Sequence, residues 1–192
     1  ALEIAREFGI PEHAVDHRPY KGDRAAHEEA IIEKLRECDT EFVVLAGYMR
    51  IVTPHFISSF PKHIINIHPS LLPAFPGVRS QQQAIDYGVK VSGCTVHFIN
   101  EEMDAGPIIV QRAVEVQNDD DGETLASRIL EQEHQALPFA LDVISRGRVK
   151  VAGRRVIIYP GESSFPELDS PSNQRPPVLI ATGNHHKAHE IR

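Results

Sequence analysis

Ile64-Ile-Asn-Ile-His-Pro-Ser-Leu-Leu-Pro-Ala-Phe-Pro-Gly77 is the stretch on which the reading of this chain turns. It opens as an apolar, β-branched run of the kind that forms a buried strand, and the run ends on Asn66 and His68. Residues i and i+2 of a strand share a face, so the spacing predicts that Asn66 and His68 point into one cleft. Pro69 keeps His68 extended, because the residue before a proline is pushed away from helical geometry. An amide and an imidazole then stand side by side at the end of a buried strand, where open α/β sheets keep their sites.

That pair has a chemistry. An amide NH₂ and a protonated imidazole are both donors, and together they stabilise an oxyanion forming on an attacked carbonyl. A half-buried imidazole tends to lose its proton, so a third group is needed. The segment Asn100-Glu-Glu-Met-Asp-Ala-Gly-Pro-Ile-Ile109 offers Asp104, just ahead of an Ala-Gly-Pro turn. Near His68, that carboxylate would favour the charged ring and orient it. The three residues describe an acyl-transfer site without a metal and without a serine or cysteine nucleophile.

Outward from this stretch, strands and helices alternate as in an α/β protein with a parallel sheet. Leu2 to Phe8 reads as a helix end closed by Gly9, and Ala14 to His17 as a short extended piece. Asp23 caps a helix reaching about Cys38, with Ile31, Ile32 and Leu35 on its apolar side. Phe42 to Ala46 reads as a buried strand, and Thr53-Pro54 as an N-cap and first-turn pair. His63 to Ile67 forms the site strand, and Ser80 to Tyr87 a helix ended by Gly88. Val91 to Phe98 and Ile108 to Val116 read as antiparallel neighbours. A long helix follows from Thr124 to Arg146, then a closing hairpin from Val149 to Tyr159.

Composition narrows the class. The chain has 192 residues and a formal net charge of −7, with a pI of about 5.9, which excludes a general nucleic-acid binder. Its two cysteines, Cys38 and Cys94, sit in apolar contexts and fit a reducing compartment. No apolar run approaches the roughly 18 residues of a membrane span. A cytoplasmic protein with no nucleic-acid or membrane partner is expected. His13 with His17, and His185 with His189, have i, i+4 spacing, but no acidic or cysteine partner accompanies either pair, so no metal is expected.

The site stretch, together with Gly88-Val-Lys, Gly93-Cys-Thr-Val-His and Asp104-Ala-Gly-Pro-Ile-Ile-Val-Gln, resembles the phosphoribosylglycinamide formyltransferase family over roughly the first 159 residues. The resemblance implies a three-layer, Rossmann-like formyltransferase fold with a mostly parallel sheet. It implies formyl transfer from 10-formyltetrahydrofolate to the amine of 5-phosphoribosylglycinamide in purine biosynthesis, with no metal. Asn66 and His68 would hold the formyl oxygen, His68 would protonate the departing folate nitrogen, and Asp104 would keep the ring charged. Met49, Arg50, Ile51 and Val52 would line the pterin slot, and Arg24 would meet the folate side. Asn100, Glu101, Glu102, Met103 and Asp104 would form the loop over the same ring, and Glu133 would bind the ribose hydroxyls. On the residues alone, Met49, Ile51 and Val52 read equally well as core, Arg24 as a solvated helix residue and Glu133 as a surface one.

The family opens with a strand, a glycine-rich phosphate loop and a helix, and nothing like them is found here. The formyltransferase domain, 1–159, is therefore expected to lack its opening βαβ unit. Residues 160–177 hold five prolines and four serines and read as a linker. Residues 178–192, with Thr182-Gly-Asn-x-x-Lys, resemble the start of the inosine-triphosphate pyrophosphatase family. Three other readings remain. A non-catalytic folate-binding fragment would keep the folate wall without the nucleotide site. Methionyl-tRNA formyltransferase would need a basic surface, and formyltetrahydrofolate hydrolase tends to carry a second His where Pro69 stands. Oligomeric state is not legible.

Overall fold

The computed structural model describes residues 2–48, 50–160 and 178–181. These fall into two compact units, residues 2–64 with 178–181 and residues 65–160. The linker and most of the pyrophosphatase-like stub expected from the sequence lie outside the described residues.

In the first unit, α1 (Leu2–Glu7) ends where Gly9 takes a left-handed conformation and Ile10 N–H bonds back to Ala5 at 2.8 Å. Helix α2 (Arg24–Glu37) starts on Asp23, whose carboxylate accepts from Ala26 N–H at 3.0 Å. Its Ile31, Ile32 and Leu35 are buried. Strand β1 (Val43–Ala46) follows, then α3 (Pro54–Ser59), capped by the Thr53 hydroxyl. Glu28, wholly buried on α2, accepts the Thr53 N–H at 3.2 and 3.1 Å and also the Thr53 hydroxyl. Those bonds tie α2 to the start of α3. Strand β7 (Val178–Ala181) runs parallel to β1, Val43 opposite Val178 and Ala46 opposite Ala181.

One local expectation is corrected here. Residues 14–16 join no strand, and the chain turns instead into a 3-10 helix at Arg18–Tyr20. The Asp16 carboxylate accepts both the backbone N–H and the Nε of Arg18, at 2.9 and 2.7 Å, and bends the chain there. Arg18 holds the Asp16 carboxyl down at about 2. His13 and His17 thus share no helix.

Strand β2 (Ile64–His68) leads into the second unit. It continues through α4 (Ser80–Tyr87), β3 (Val91–Phe98), β4 (Ile108–Glu115), α5 (Gly122–Ser145), β5 (Val149–Ala152) and β6 (Arg155–Ile158). The strand order is β5-β6-β4-β3-β2. Strands β2–β3, β3–β4 and β5–β6 pair antiparallel, and β4–β6 pair parallel. The α/β class is as expected, with the sheet mixed. Helix α5 packs on β3 and β4 through Leu125, Ile129, Ala136, Ala140 and Val143. It begins two residues before the expected Thr124, because Asp121 accepts from the N–H groups of Glu123 and Thr124 while the Thr124 hydroxyl accepts the Asp121 N–H. Among the described residues, no helix is long and apolar enough to cross a membrane.

Candidate active site

The pairing of β2 with β3 builds the site. Antiparallel register sets Asn66 opposite His97 and His68 opposite Thr95, so all four side chains belong to one face of the two strands. A register shift between Val96 and His97 on the β4 side accompanies this turn in the ladder.

His68 is almost fully buried, at 5% exposed. Its Nε2 donates to the Phe75 carbonyl at 2.9 Å, and its Nδ1 lies 3.5 Å from Asp104 Oδ2. The ring thus has an acceptor beside each nitrogen, the Phe75 carbonyl at hydrogen-bond distance and the Asp104 carboxylate at ion-pair distance. The Asn66 amide nitrogen lies 3.4 Å from His97 Nε2, and His97 Nε2 lies 3.8 Å from Asp104 Oδ1. His97 is wholly buried, and its Nδ1 is 2.9 Å from the Phe98 carbonyl. Burial pushes the ring below the ordinary histidine range, with His68 adding to that effect. The Phe98 carbonyl and Asp104 oppose it.

Asp104 reaches this cluster from the loop between β3 and β4. It adopts a left-handed backbone, φ 50°, which Asp tolerates better than most residues, and its Oδ2 accepts the Gly77 N–H at 2.7 Å. The loop closes on the strand through Gly106. A Cβ there would fall 1.7 Å from the Phe98 carbonyl oxygen, so this position admits only glycine. Phe98 N–H bonds to the Pro107 carbonyl at 2.9 Å and shuts the loop.

The proline-rich turn is anchored from beneath. The Thr95 hydroxyl donates to the Ser70 carbonyl at 2.7 Å and accepts the Leu72 N–H at 3.1 Å. Gln111 donates to both Thr95 Oγ1 and the Leu72 carbonyl at 2.9 Å. These bonds fix the turn that carries the Phe75 carbonyl to His68 and the Gly77 N–H to Asp104. His97, Phe75, Thr95 and Gln111 were not singled out from the sequence. Each depends on strand register or on a main-chain group, and only the alternating Thr95 and His97 left a trace there.

The other expected residues divide between the units. In the second unit, Asn100 Oδ1 accepts the Glu102 N–H at 3.2 Å and shapes a turn that leaves Glu101, Glu102 and Met103 exposed. The Met103 sulfur lies beside Gly77. Glu133 is buried on α5, and together with burial its charge pushes the Cys94 thiol up to about 12. In the first unit, Arg24 Nη1 donates to the Ile51 carbonyl at 3.3 Å. Arg50 Nη1 donates to His27 Nδ1 at 3.3 Å, while His27 Nε2 bonds the Val15 carbonyl. Val52 is buried and Ile51 is exposed, so one matches the core reading and the other does not. Met49 lies outside the described residues. Among the described residues, no three His, Cys, Asp or Glu side chains gather as metal ligands would.

Residues 1–141 match the model of the formyl transferase family. The chain is 47% identical over 137 residues to the phosphoribosylglycinamide formyltransferase of Bacillus subtilis (strain 168), covering 71% of this chain and 70% of that one. It is 45% identical over 150 residues to the trifunctional purine biosynthetic protein adenosine-3 of Bos taurus, covering 78% of this chain and 15% of that protein's length. Among solved structures, glycinamide ribonucleotide transformylase 1 of Symbiobacterium toebii superposes with a TM-score of 0.79 at 47% identity, covering 82% of this chain and 74% of that one.

Proposed function

Because this chain belongs to the formyl transferase family, we propose that it transfers the formyl group of 10-formyltetrahydrofolate to the amine of 5-phosphoribosylglycinamide, a step of purine biosynthesis. The observation that carries the reading is the engagement of His68 at both ring nitrogens, by the Phe75 carbonyl and Asp104, on the strand face that also holds Asn66.

In this mechanism the substrate supplies the nucleophile. Its amine attacks the formyl carbon, and the carbonyl oxygen becomes an oxyanion that an Asn66 N–H and the His68 cation stabilise. His68 turns its Nε2–H from the Phe75 carbonyl to the departing folate nitrogen, gives up that proton and takes the one that the attacking amine loses, so the ring ends as it began. Asp104 faces Nδ1 of the ring, orients it and balances its positive charge before the proton is passed on.

Fit to folate rests on the surface around Gly77. Val78 and Met103 expose apolar side chains at 58% and 55%, next to the Gly77 N–H that Asp104 accepts. A flat heteroaromatic ring uses such walls together with a few backbone groups. We assign the Asn100–Asp104 loop to one side of that ring, and Met49, Arg50, Ile51, Val52 and Arg24 to folate contacts. Glu133, an acceptor whose chemistry suits a pair of hydroxyls, is assigned to the ribose.

The test is a direct assay of the chain with both substrates, following formylated product and free formate separately. Formylated 5-phosphoribosylglycinamide supports the proposal. Formate released at the same rate with no amine present would make the protein a hydrolase. Folate binding with no measurable nucleotide binding would make it a folate-binding module.

A further inference from the structure

We propose that His97 is a positioning residue for this reaction: as the neutral ring protonated at Nδ1, it accepts a hydrogen bond from Asn66 and so decides which end of that amide faces the cleft. The inference rests on the reading of Asn66 as an oxyanion donor and extends it.

An asparagine amide has two ends of nearly the same shape and opposite function. Turned one way it offers N–H to a forming oxyanion. Turned the other way it offers a carbonyl oxygen, which repels the same charge. A site that depends on Asn66 therefore needs something to choose the end.

His97 meets that need through the register of two strands. It stands directly across from Asn66, with its Nε2 3.4 Å from the Asn66 nitrogen. Its other nitrogen faces the Phe98 carbonyl at 2.9 Å. A carbonyl only accepts, so Nδ1 carries the hydrogen. Complete burial opposes a second proton on the ring, and the neighbouring His68 opposes it too. Nε2 is left as a lone pair, and a lone pair orients the amide by its NH₂ end. An amide flipped the other way would set two acceptors against each other in a dry site, which is costly. The second N–H of Asn66 has no partner among the described residues and remains for the substrate oxygen. Neutrality has another effect. A protonated His97 would compete for Asp104, 3.8 Å away at Oδ1, whose charge His68 needs.

Two measurements test this on the full chain. Nitrogen-15 spectra of the histidine-labelled protein, with His97 assigned by its absence in His97→Leu or His97→Gln, are expected to show a neutral ring bearing hydrogen on Nδ1 at neutral pH. A doubly protonated ring, or one protonated on Nε2, overturns the proposal, and this measurement needs no turnover. In the kinetic arm, His97→Leu is expected to lower kcat about 10–100-fold with the folate KM within about threefold. In an Asn66→Ala background the same change should cost less than about twofold, because the amide it positions is gone. His97→Gln, which places a side-chain carbonyl near the Nε2 position, should recover most of the loss. Equal losses from His97→Leu in both backgrounds would overturn the proposal while leaving the function intact. A wild-type chain without formyl transfer would overturn the function, and the spectra would still decide the His97 tautomer.

Discussion

Asp104 Oδ2 lies 3.5 Å from His68 Nδ1, and the same oxygen is pinned by the Gly77 N–H at 2.7 Å. The acid thus faces the ring from a fixed position, and its side chain is only 12% exposed. A charge held this way acts on its neighbour with little water between them. That relationship separates the contributions of the two residues.

His68→Ala is expected to lower formyl transfer by about 10²–10⁴-fold, the usual range for a lost proton donor, with folate affinity nearly unchanged. Single-turnover rates and a folate titration check it. Turnover within about tenfold of wild type, roughly 1.4 kcal/mol of barrier, would remove His68 from its assigned role.

Asp104→Asn keeps an oxygen for the Gly77 N–H but loses the charge facing His68. We expect kcat to fall at least about tenfold while the melting temperature moves by only a few degrees. A large loss of stability with unchanged kcat would reassign Asp104 to holding its loop.

Gly106→Ala is expected to destabilise the fold by about 2–3 kcal/mol and to displace Asp104, because the new Cβ would lie 1.7 Å from the Phe98 carbonyl oxygen. Urea unfolding and activity measured together check it. Both should fall, and neither alone.

Glu28→Ala leaves the Thr53 N–H and hydroxyl without their carboxylate. A cost of about 1–3 kcal/mol is expected for the stranded donors. Glu28→Gln, which keeps an acceptor, should cost less. Equal losses from the two variants would mean that the carboxylate charge, and not the hydrogen bonds, holds α2 to α3.

Cys94 gives the pH dependence. Burial raises its thiol from 9.0 to about 12. Below about pH 9 the folded and unfolded chains both keep the proton, and the thiol leaves stability unchanged. Above that the unfolded chain ionises first, so stability falls progressively towards pH 12. Cys94→Ala should flatten this alkaline loss. Iodoacetamide should label the half-buried Cys38 well before the buried Cys94 in the folded protein.

The sequence was most informative where local chemistry acts within a few residues. Asp23, Thr53 and Gly88 announce helix ends by the groups they offer the backbone, and α2, α3 and α4 begin or end at those residues. Asp16 was missed because a side chain bonding its own backbone leaves no periodic trace. At the site, the same-face spacing of Asn66 and His68 was readable from strand geometry alone. Which residue would stand across from Asn66 was not, since register is set by pairing between segments far apart in the chain. The Phe75 carbonyl was beyond reach for a simpler reason, because every residue has one. The buried Glu28 was also hidden, its donors lying at the start of a different helix.

The parallel match of Val178–Ala181 to Val43–Ala46 also bears on how the protein is made. Every side chain of the earlier segment is apolar, and its pairing with the later one waits while more than a hundred intervening residues are translated. At ordinary ribosomal speeds that interval lasts on the order of ten seconds. A contact so distant along the chain forms only once the loop between its two halves exists, later than the local β3–β4 and β5–β6 pairings.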